Sequence, residues 1–239
     1  MIAALARYVP RSVTNRVKRA LRSTYPFHCP LCGLYAGAFE PFGNPPRPHA
    51  LCPYCGSLER DRLTTRWIGR YSQARGRVLH IAPESSLAPF LRTRARFYAS
   101  VDLGLDERQP MVKSDLTRLA FRSSQFDFLY CSHVLEHVPD DRAAMRECLR
   151  VLAPTGIATF QVPMRGTRTY EDWSLVTPEQ RLAAFGQRDH VRMYGSDFVE
   201  RLASAGFIVD TITPEALSGG VHVINATWAE PIFVCRRGV

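Results

Sequence analysis

Four cysteines near the start of the sequence have the spacing that a metal site requires. Cys29 and Cys32, and then Cys52 and Cys55, form two C-x-x-C pairs, each followed by a glycine. A two-residue spacer lets both sulfurs of a tight turn face one ion, and the glycine admits the positive φ that turns backbone amides towards the sulfurs. The pattern predicts a structural four-cysteine Zn²⁺ site within 26–60. It leaves open whether this module presents a substrate or nucleic acid, or only stabilises a unit too small to hold its own core.

Two aspartates follow short apolar runs further along the chain. Asp102 comes directly after 97–101, and Asp115 comes shortly after 111–113. Open parallel sheets bind ligands at the carboxyl ends of their strands, where a carboxylate can accept hydrogen bonds from both hydroxyls of a ribose. Asp102 is therefore a candidate ligand-binding residue. Asp115 opens the loop after the third strand, where a solvated turn carboxylate is one interpretation.

These positions depend on strands that alternate with helices. The apolar runs predict strands over 78–82, 97–101, 111–113, 126–131, 157–162, 207–212 and 231–235, with helices over 140–152 and from a cap at Ser196 to Gly206. The alternation predicts an α/β fold with a doubly wound, mainly parallel sheet of about seven strands over 77–239. Apolar residues at helical spacing predict a helix from about Leu58 to Ser72, and we assign 61–76 to the segment that links the two domains.

Three stretches of this region resemble class I S-adenosylmethionine (SAM)-dependent methyltransferases, specifically the group called methyltransferase type 11. They are SDL with LAF at 114–121, FDFLYCSHVLEHV at 126–138 and RVLAPTG at 150–156. The resemblance implies a Rossmann-like methyltransferase sheet, SAM as the cofactor and methyl transfer as the activity. It also implies that Asp102 binds the ribose, Asp115 accepts from the adenine amino group and the backbone amide of Leu116 contacts the ring.

The first loop departs from that family. Where a glycine-rich turn is usual, the chain reads HIAPESS over 80–86, with His80 in place of the common acid and Glu84 in place of a glycine. SAM carries no diphosphate, so loss of glycine is tolerable, and Ala82 is expected to contact the cofactor. Glu84 could bind the cofactor's ammonium group, or it could be a helix-terminal charge favoured by the macrodipole.

The Cys-Pro-x-Cys-Gly pattern of both cysteine pairs is similar to rubredoxin-like and zinc-ribbon modules.

Histidines and an insertion supply candidates for the transfer step. Methyl transfer is an in-line displacement at an activated sulfonium, so alignment dominates and a base is needed only if the acceptor holds a proton. His133 and His137 follow the fourth strand, and His133 is also a candidate cofactor contact. The insertion 164–194 contains Asp189, His190 and Arg192, which could form a base and an anion clamp. The alternatives are packed histidines and a salt-bridged lid.

The charge distribution indicates which kinds of partner the chain could bind. The net charge is +9, and six basic residues precede the first acidic residue, Glu40, which leaves +3 for the rest of the chain. Residues 1–25 are predicted to include a basic amphipathic helix that lies on a membrane surface, on nucleic acid or on the protein itself. No run is long enough for a transmembrane segment, and paired cysteines without an export signal favour the reducing cytoplasm.

Two functions follow as expectations. The first is a SAM-dependent methyltransferase acting on an unidentified acceptor, which could be a small molecule, a glycan, a lipid-linked group or RNA. The second is an inactive methyltransferase-fold module that binds nucleic acid or a protein partner through its basic arm and zinc ribbon.

Overall fold

The computed structural model of this chain describes residues 26–43, 45–69, 73–104, 110–218 and 230–238. The basic helix predicted within 1–25 lies outside these residues. Among the helices of the described segments, none has both the length and the apolar character that crossing a bilayer requires.

The cysteine-rich segment folds as two small antiparallel pairs. They are β1 (Phe27–His28) with β2 (Tyr35–Ala36), and β3 (Glu40–Phe42) with β4 (Arg47–Leu51). The first cysteine pair occupies the turn between β1 and β2, and the second follows β4. The apolar core beneath them is small, with Cys29, Ala36, Phe39 and Cys52 as its buried members. So small a core needs a further source of stability.

Helix α1 (Glu59–Ile68) joins this module to the large sheet. Arg62 is fully buried and donates hydrogen bonds to the carbonyl oxygens of Ala50 (2.9 Å) and Ser57 (2.6 Å) in the cysteine module. On the other side, Thr64 Oγ1 donates to Gln161 Oε1 of the sheet at 2.8 Å. The helix therefore has specific polar contacts to both units.

The remaining elements alternate as the sequence predicted. After α1 come β5 (Arg77–Ile81), α2 (Ala88–Arg94), β6 (Phe97–Asp102), β7 (Val112–Lys113), β8 (Phe126–Ser132), α3 (Asp141–Val151) and β9 (Leu152–Gln161). The insertion then forms β10 (Tyr170–Glu171), α4 (Pro178–Phe185) and β11 (Arg192–Met193), and the chain ends with α5 (Phe198–Ser204), β12 (Phe207–Ile212), α6 (Pro214–Ser218) and β13 (Ile232–Arg237).

Seven strands form one sheet in the order β12-β13-β9-β8-β5-β6-β7. Strands β5 to β9 pair in parallel, whereas β13 runs antiparallel to both of its neighbours. The predicted Rossmann-like α/β fold is confirmed. Strand order reverses where β5 pairs with both β6 and β8, and open sheets bind ligands in the crevice at such a switch point.

Apolar burial on both faces explains why these segments are strands. Every residue of β8 except Asp127 is buried, and β5 is buried from Val78 onward. Continuous burial of this kind is typical of parallel strands covered by helices on both sides. The interior divides accordingly into two clusters, one on each face, with Leu129 and Phe160 in the first and Trp67 and Phe128 in the second.

Two local predictions differ from the structure. Helix α5 has Asp197, not Ser196, at its N-cap position, and the Asp197 carboxylate instead accepts hydrogen bonds from the amide (2.8 Å) and hydroxyl (2.7 Å) of Thr169. Strand β9 begins at Leu152 rather than at Ile157, because Leu152 already pairs with Phe126 before an irregularity in the ladder. The expected helix end near Gly206 is confirmed.

Candidate functional site

A cavity of about 470 Å³ opens at the carboxyl ends of β5, β6 and β8, at the switch point of the sheet. Its walls come from the loops after these strands and from the insertion. The lining residues are Ile81, Ala82, Val101, Asp102, Leu103, Ser114, Asp115, Leu116, Thr117, His133, Val134, His137, Val138, Pro139, Asp140 and Asp189. Its size is within the range of small-molecule sites.

Both aspartates predicted to bind the cofactor line this cavity. Asp102 is the last residue of β6, and its Oδ1 accepts a hydrogen bond from the amide of Gly104 at 2.9 Å. Asp115 is exposed, and its Oδ1 accepts from the amide (2.7 Å) and the hydroxyl (2.8 Å) of Thr117. The backbone turn therefore fixes one oxygen of each carboxylate. Leu116 is buried beside them and provides an apolar surface.

Two residues on the cavity wall have a left-handed backbone without being glycine. Ala82 (φ 47°) follows β5, and His133 (φ 51°) follows β8. The left-handed region costs an L-residue roughly 1–2 kcal/mol. Non-glycine residues in this region cluster at ligand sites, where the surrounding structure enforces them. Here the Ala82 amide donates to Val101 O at 2.7 Å, which holds the first loop against β6.

The cavity does not include Glu84. Its Oε2 lies 2.7 Å from Nε2 of the buried His80, whose Nδ1 lies 3.0 Å from the hydroxyl of Tyr98. Glu84 instead lines a neighbouring hollow of about 570 Å³, between α1 and the first loop. The histidine and glutamate that replace family residues are therefore partners of each other. Because its Oε2 is already paired with His80, Glu84 is less suited to bind the cofactor's ammonium group than a carboxylate without such a partner.

Sequence analysis missed two charged residues on α1 that border the same hollow. Asp61 is 2% exposed, and its Oδ2 accepts from the amide of Leu58 and the hydroxyl of Ser86, both at 2.9 Å, while Oδ1 has no hydrogen bond among the described residues. The Nε of Arg60, likewise buried, lies 3.9 Å from that oxygen and has none either. Burial, together with Glu84, raises the pKa of Asp61. Arg60 stands three residues before Leu63 and seven before Trp67, so it falls on the apolar face of the predicted helix. A charged residue on an apolar face is the sequence signal that could have identified Arg60.

His133 lies between two carboxylates. Its Nδ1 is 3.3 Å from Glu136 Oε1, and its Nε2 is 3.5 Å from Glu230 Oε2. Burial favours the neutral ring, but the two carboxylates outweigh burial and raise the pKa of His133 to about 9. A histidine with this pKa is a cation at neutral pH, so His133 does not have the protonation state that sequence analysis assumed for a base.

His137, Asp189 and His190 converge at the rim of the cavity. His137 Nδ1 lies 3.1 Å from Asp189 Oδ2, and both of these residues line the cavity. The rings of His137 and His190 meet edge to face, with centroids 4.7 Å apart. His190 is only 2% exposed and does not reach the cavity, and its burial lowers its pKa. Of this group, His137 with Asp189 is the pair placed to meet a substrate.

Arg192 cannot serve as an anion clamp. It is fully buried and donates hydrogen bonds to the carbonyl oxygens of Leu135 (2.7 Å), Val138 (2.5 Å) and Pro139 (2.8 Å), and its Nε donates to Glu171 at 2.6 Å. These contacts fasten the insertion to the loop after β8. The salt-bridged alternative describes Arg192 correctly.

The four cysteines of the N-terminal module come together as predicted. All four sulfurs lie within 4.8 Å of one another, with Cys29 and Cys55 3.7 Å apart and Cys32 and Cys52 4.0 Å apart. Tetrahedral Zn²⁺ with bonds of about 2.3 Å places sulfurs about 3.8 Å apart. Gly33 and Gly56 have φ of 75° and 67°, the positive values that the paired turns require. The cluster has the geometry of a metal site.

Comparisons with known proteins agree with this fold. A family model described as "Methyltransferase domain" matches residues 64–160. Ubiquinone biosynthesis O-methyltransferase of Psychrobacter arcticus is 32% identical over 91 residues, which are 37% of this chain and 35% of that protein. The match thus spans about a third of that curated relative.

Solved structures extend the likeness to most of the chain. Burkholderia thailandensis 1,6-didemethyltoxoflavin-N1-methyltransferase, solved with S-adenosylhomocysteine bound, has a TM-score of 0.52 at 16% identity and covers 76% of this chain and 80% of its own. The (4+2)-cyclase SpnF has a TM-score of 0.53 at 20% identity and covers 75% and 82%. At these identities the likeness shows the fold alone. Together with the strand order, the family match identifies residues 64–160 as the part of the chain that is similar to a methyltransferase domain.

Proposed function

We propose that this protein is a SAM-dependent methyltransferase whose cofactor binds in the cavity at the switch point of the sheet. The observation that carries the proposal is the position of Asp102 and Asp115 on one cavity wall, at the carboxyl ends of adjacent strands. Asp102 would accept hydrogen bonds from the ribose hydroxyls, and Asp115 would accept from the adenine amino group beside Leu116. The family match over 64–160 supports the same cofactor.

The amino-acid half of SAM needs binding partners of its own. It carries a carboxylate and an ammonium, and a buried charge needs a partner of opposite sign. The hollow on the α1 side of the first loop meets the cavity at Ala82 and Pro83, and SAM would extend from the cavity into it. There, Arg60 Nε and Asp61 Oδ1 are buried without a hydrogen bond among the described residues. We propose that Arg60 binds the carboxylate and Asp61 the ammonium.

Bound SAM would supply an activated methyl group on a sulfonium, and the residues of the chain would position the acceptor and remove its proton. The rate of in-line transfer depends mainly on the alignment of the methyl group with the acceptor, which the rigid strand ends and the insertion would provide. His137 lies at the cavity wall with Asp189 Oδ2 3.1 Å from its Nδ1. Such a carboxylate orients the ring and stabilises its protonated form, so His137 would accept the proton through Nε2.

The acceptor is proposed to be a hydroxyl oxygen of a small molecule. The relative from Psychrobacter arcticus is named an O-methyltransferase of ubiquinone biosynthesis. In this chain the residues that line the cavity include the apolar Val134 and Val138 as well as His137. An apolar wall with one oriented histidine suits a hydroxyl on an apolar molecule better than RNA, whose recognition needs stacked aromatics and phosphate contacts.

We further propose that the four cysteines bind a structural Zn²⁺. The sulfur geometry fits a tetrahedral ion, and four thiolates leave no position for a reactive water. The ion would therefore stabilise the small module and take no part in methyl transfer.

Calorimetric titration with S-adenosylhomocysteine tests the cofactor site. Each hydrogen bond to a charged carboxylate is worth about 1.5–3 kcal/mol, so Asp102→Asn should weaken binding roughly 10–100-fold. The matched control is Asp127→Asn, a carboxylate near the opposite end of β8 that pairs with Arg77 at 2.7 Å, and it should bind like the wild type. Equal affinity of Asp102→Asn and wild type would contradict the proposed pocket.

Transfer itself is tested with methyl-labelled SAM and cell extract. Label that appears in a small organic product, and depends on the wild-type protein, supports a small-molecule acceptor. Label in RNA would show that the acceptor is RNA and not a small molecule. Cofactor binding without transfer to any fraction would favour the inactive binding module.

A further inference from the structure

Three potential metal ligands meet beside the cavity. A carboxylate oxygen of Glu136 and one ring nitrogen each of His137 and His190 lie within 4.8 Å of one another. Two come from the short helical turn Leu135–His137 after β8, and the third comes from the insertion. This group, which we name the EHH cluster, lies apart from the four cysteines.

The two buried members lack the partners that their burial demands. Glu136 is fully buried; it has the ion-pair contact with His133, but neither carboxylate oxygen has a hydrogen bond of acceptable geometry in the described chain. His190 is 2% exposed; its ring approaches the backbone of Phe185, but neither ring nitrogen has a hydrogen bond of acceptable geometry among the described residues. Buried polar atoms are nearly always satisfied, so orphaned atoms on adjacent side chains point to a ligand between them.

The backbone holds these side chains together. The amide of Val191 donates to the carbonyl oxygen of Glu136 at 2.9 Å, which joins the insertion to the turn that carries Glu136 and His137. Arg192 fixes the same turn by donating to Leu135 O and Val138 O. The EHH cluster is therefore built on a braced piece of backbone.

We propose that the EHH cluster binds a divalent first-row transition-metal ion, of which Zn²⁺ is the natural probe. Two imidazoles and one carboxylate are ligands that such ions prefer over Mg²⁺. With metal–ligand bonds of about 2.0–2.2 Å, the ligand atoms would have to approach one another by about 1 Å. His137 can supply much of this movement because its side chain is 33% exposed.

The cluster is closed on one side and open on the other. Glu136 and His190 form a buried floor, whereas His137 lines the cavity, with Asp189 3.1 Å from its Nδ1 as an outer partner that can orient the ring. Three protein ligands leave a coordination position open, and here it faces the cavity. With the ion bound, His137 would be a ligand rather than the base, and the ion would bind and polarise the acceptor oxygen so that its proton passes to water. This role rests on the proposed function, whereas metal binding itself does not.

Zinc stoichiometry by equilibrium dialysis and mass spectrometry tests the site in the full chain. The wild type should hold two Zn²⁺ per chain, one in the cysteine cluster and one in the EHH cluster. Glu136→Gln and His190→Asn should each weaken binding of the second ion at least tenfold. The matched control is Glu179→Gln, an exposed carboxylate on α4, which should retain two.

Cobalt substitution distinguishes the two sites and reports on folding. Co²⁺ held by four thiolates absorbs strongly through sulfur-to-metal charge transfer, so a variant that keeps this band has an intact cysteine module. Should Glu136→Gln lose the band, His190→Asn becomes the deciding variant. A wild type that saturates with one Zn²⁺, or a second ion that folded variants bind as tightly as the wild type, would overturn the proposal.

Titration with S-adenosylhomocysteine separates this test from that of the proposed function. The EHH variants should still bind the nucleoside, because neither Glu136 nor His190 lines the cavity wall that carries Asp102 and Asp115. Loss of the second ion with normal nucleoside binding supports the metal site whatever the outcome of the transfer assay.

Discussion

At the scale of single residues, neighbours in sequence have different environments. Asp189 is exposed at the cavity, whereas His190 and Arg192 are buried. The composition of this segment predicted a functional cluster, and the structure places Asp189 of this segment beside His137 in the lining of the cavity. It could not predict which charges meet solvent, because that depends on contacts between this segment and the turn after β8, which is distant in sequence.

Arg192 provides the residue-scale prediction. Arg192→Met would leave the carbonyl oxygens of Val138 and Pro139 without this donor, whereas Leu135 O keeps Tyr194 and Glu171 keeps Arg201. Removing one partner of a buried charge pair costs about 3–5 kcal/mol. Urea unfolding should show a loss of this size. The control is Arg188→Ala, whose exposed ion pair with Glu179 should be worth less than about 1 kcal/mol. A loss near that control value for Arg192→Met would contradict the structural role.

At the scale of elements, segments buried on both faces were predicted most accurately. The runs that form β5, β6 and β8 were located to within a residue or so, because a continuous apolar run bounded by turns has few alternatives. The short pair β10 and β11 was not predicted, since two-residue strands have no periodicity to read. Arg60 and Asp61 were missed for a related reason, since helix α1 was treated only as a link.

Helix α1 provides the element-scale prediction. Thr64 and Gln161 are both buried, and their hydrogen bond of 2.8 Å ties the helix to the end of β9. Thr64→Val keeps the shape but leaves the amide oxygen of Gln161 without this donor, which should cost about 1–3 kcal/mol in the free energy of unfolding. Thr93→Val is the control, because the Thr93 hydroxyl bonds Phe90 O on an exposed part of α2. Equal, small losses in both variants would show that the contact does not hold α1.

At the scale of the whole molecule, the cysteine module and the cofactor cavity are connected through α1. Arg62 anchors the start of this helix to the module, and its neighbours Arg60 and Asp61 are the groups proposed to hold the amino-acid half of SAM. Sequence analysis predicted the two domains and their order. It could not predict that α1 couples the module to the cavity, because the coupling depends on buried hydrogen bonds between segments that are distant in sequence. No sequence pattern links such segments.

The coupling leads to a prediction about the distant metal. Cys32→Ser removes one zinc ligand from the module, whose own core is too small to hold β4 and the start of α1 in place. Binding of S-adenosylhomocysteine should then weaken roughly tenfold, since about 1.4 kcal/mol of positioning would be lost at Arg60 and Asp61. Calorimetry measures the affinity, and far-ultraviolet circular dichroism should show that the seven-stranded domain remains folded. His190→Asn is the matched control, because it removes a ligand of the proposed second site without touching the module and should bind normally. If Cys32→Ser also binds normally while its zinc is lost, the module acts independently of the cavity and the role assigned to α1 is wrong.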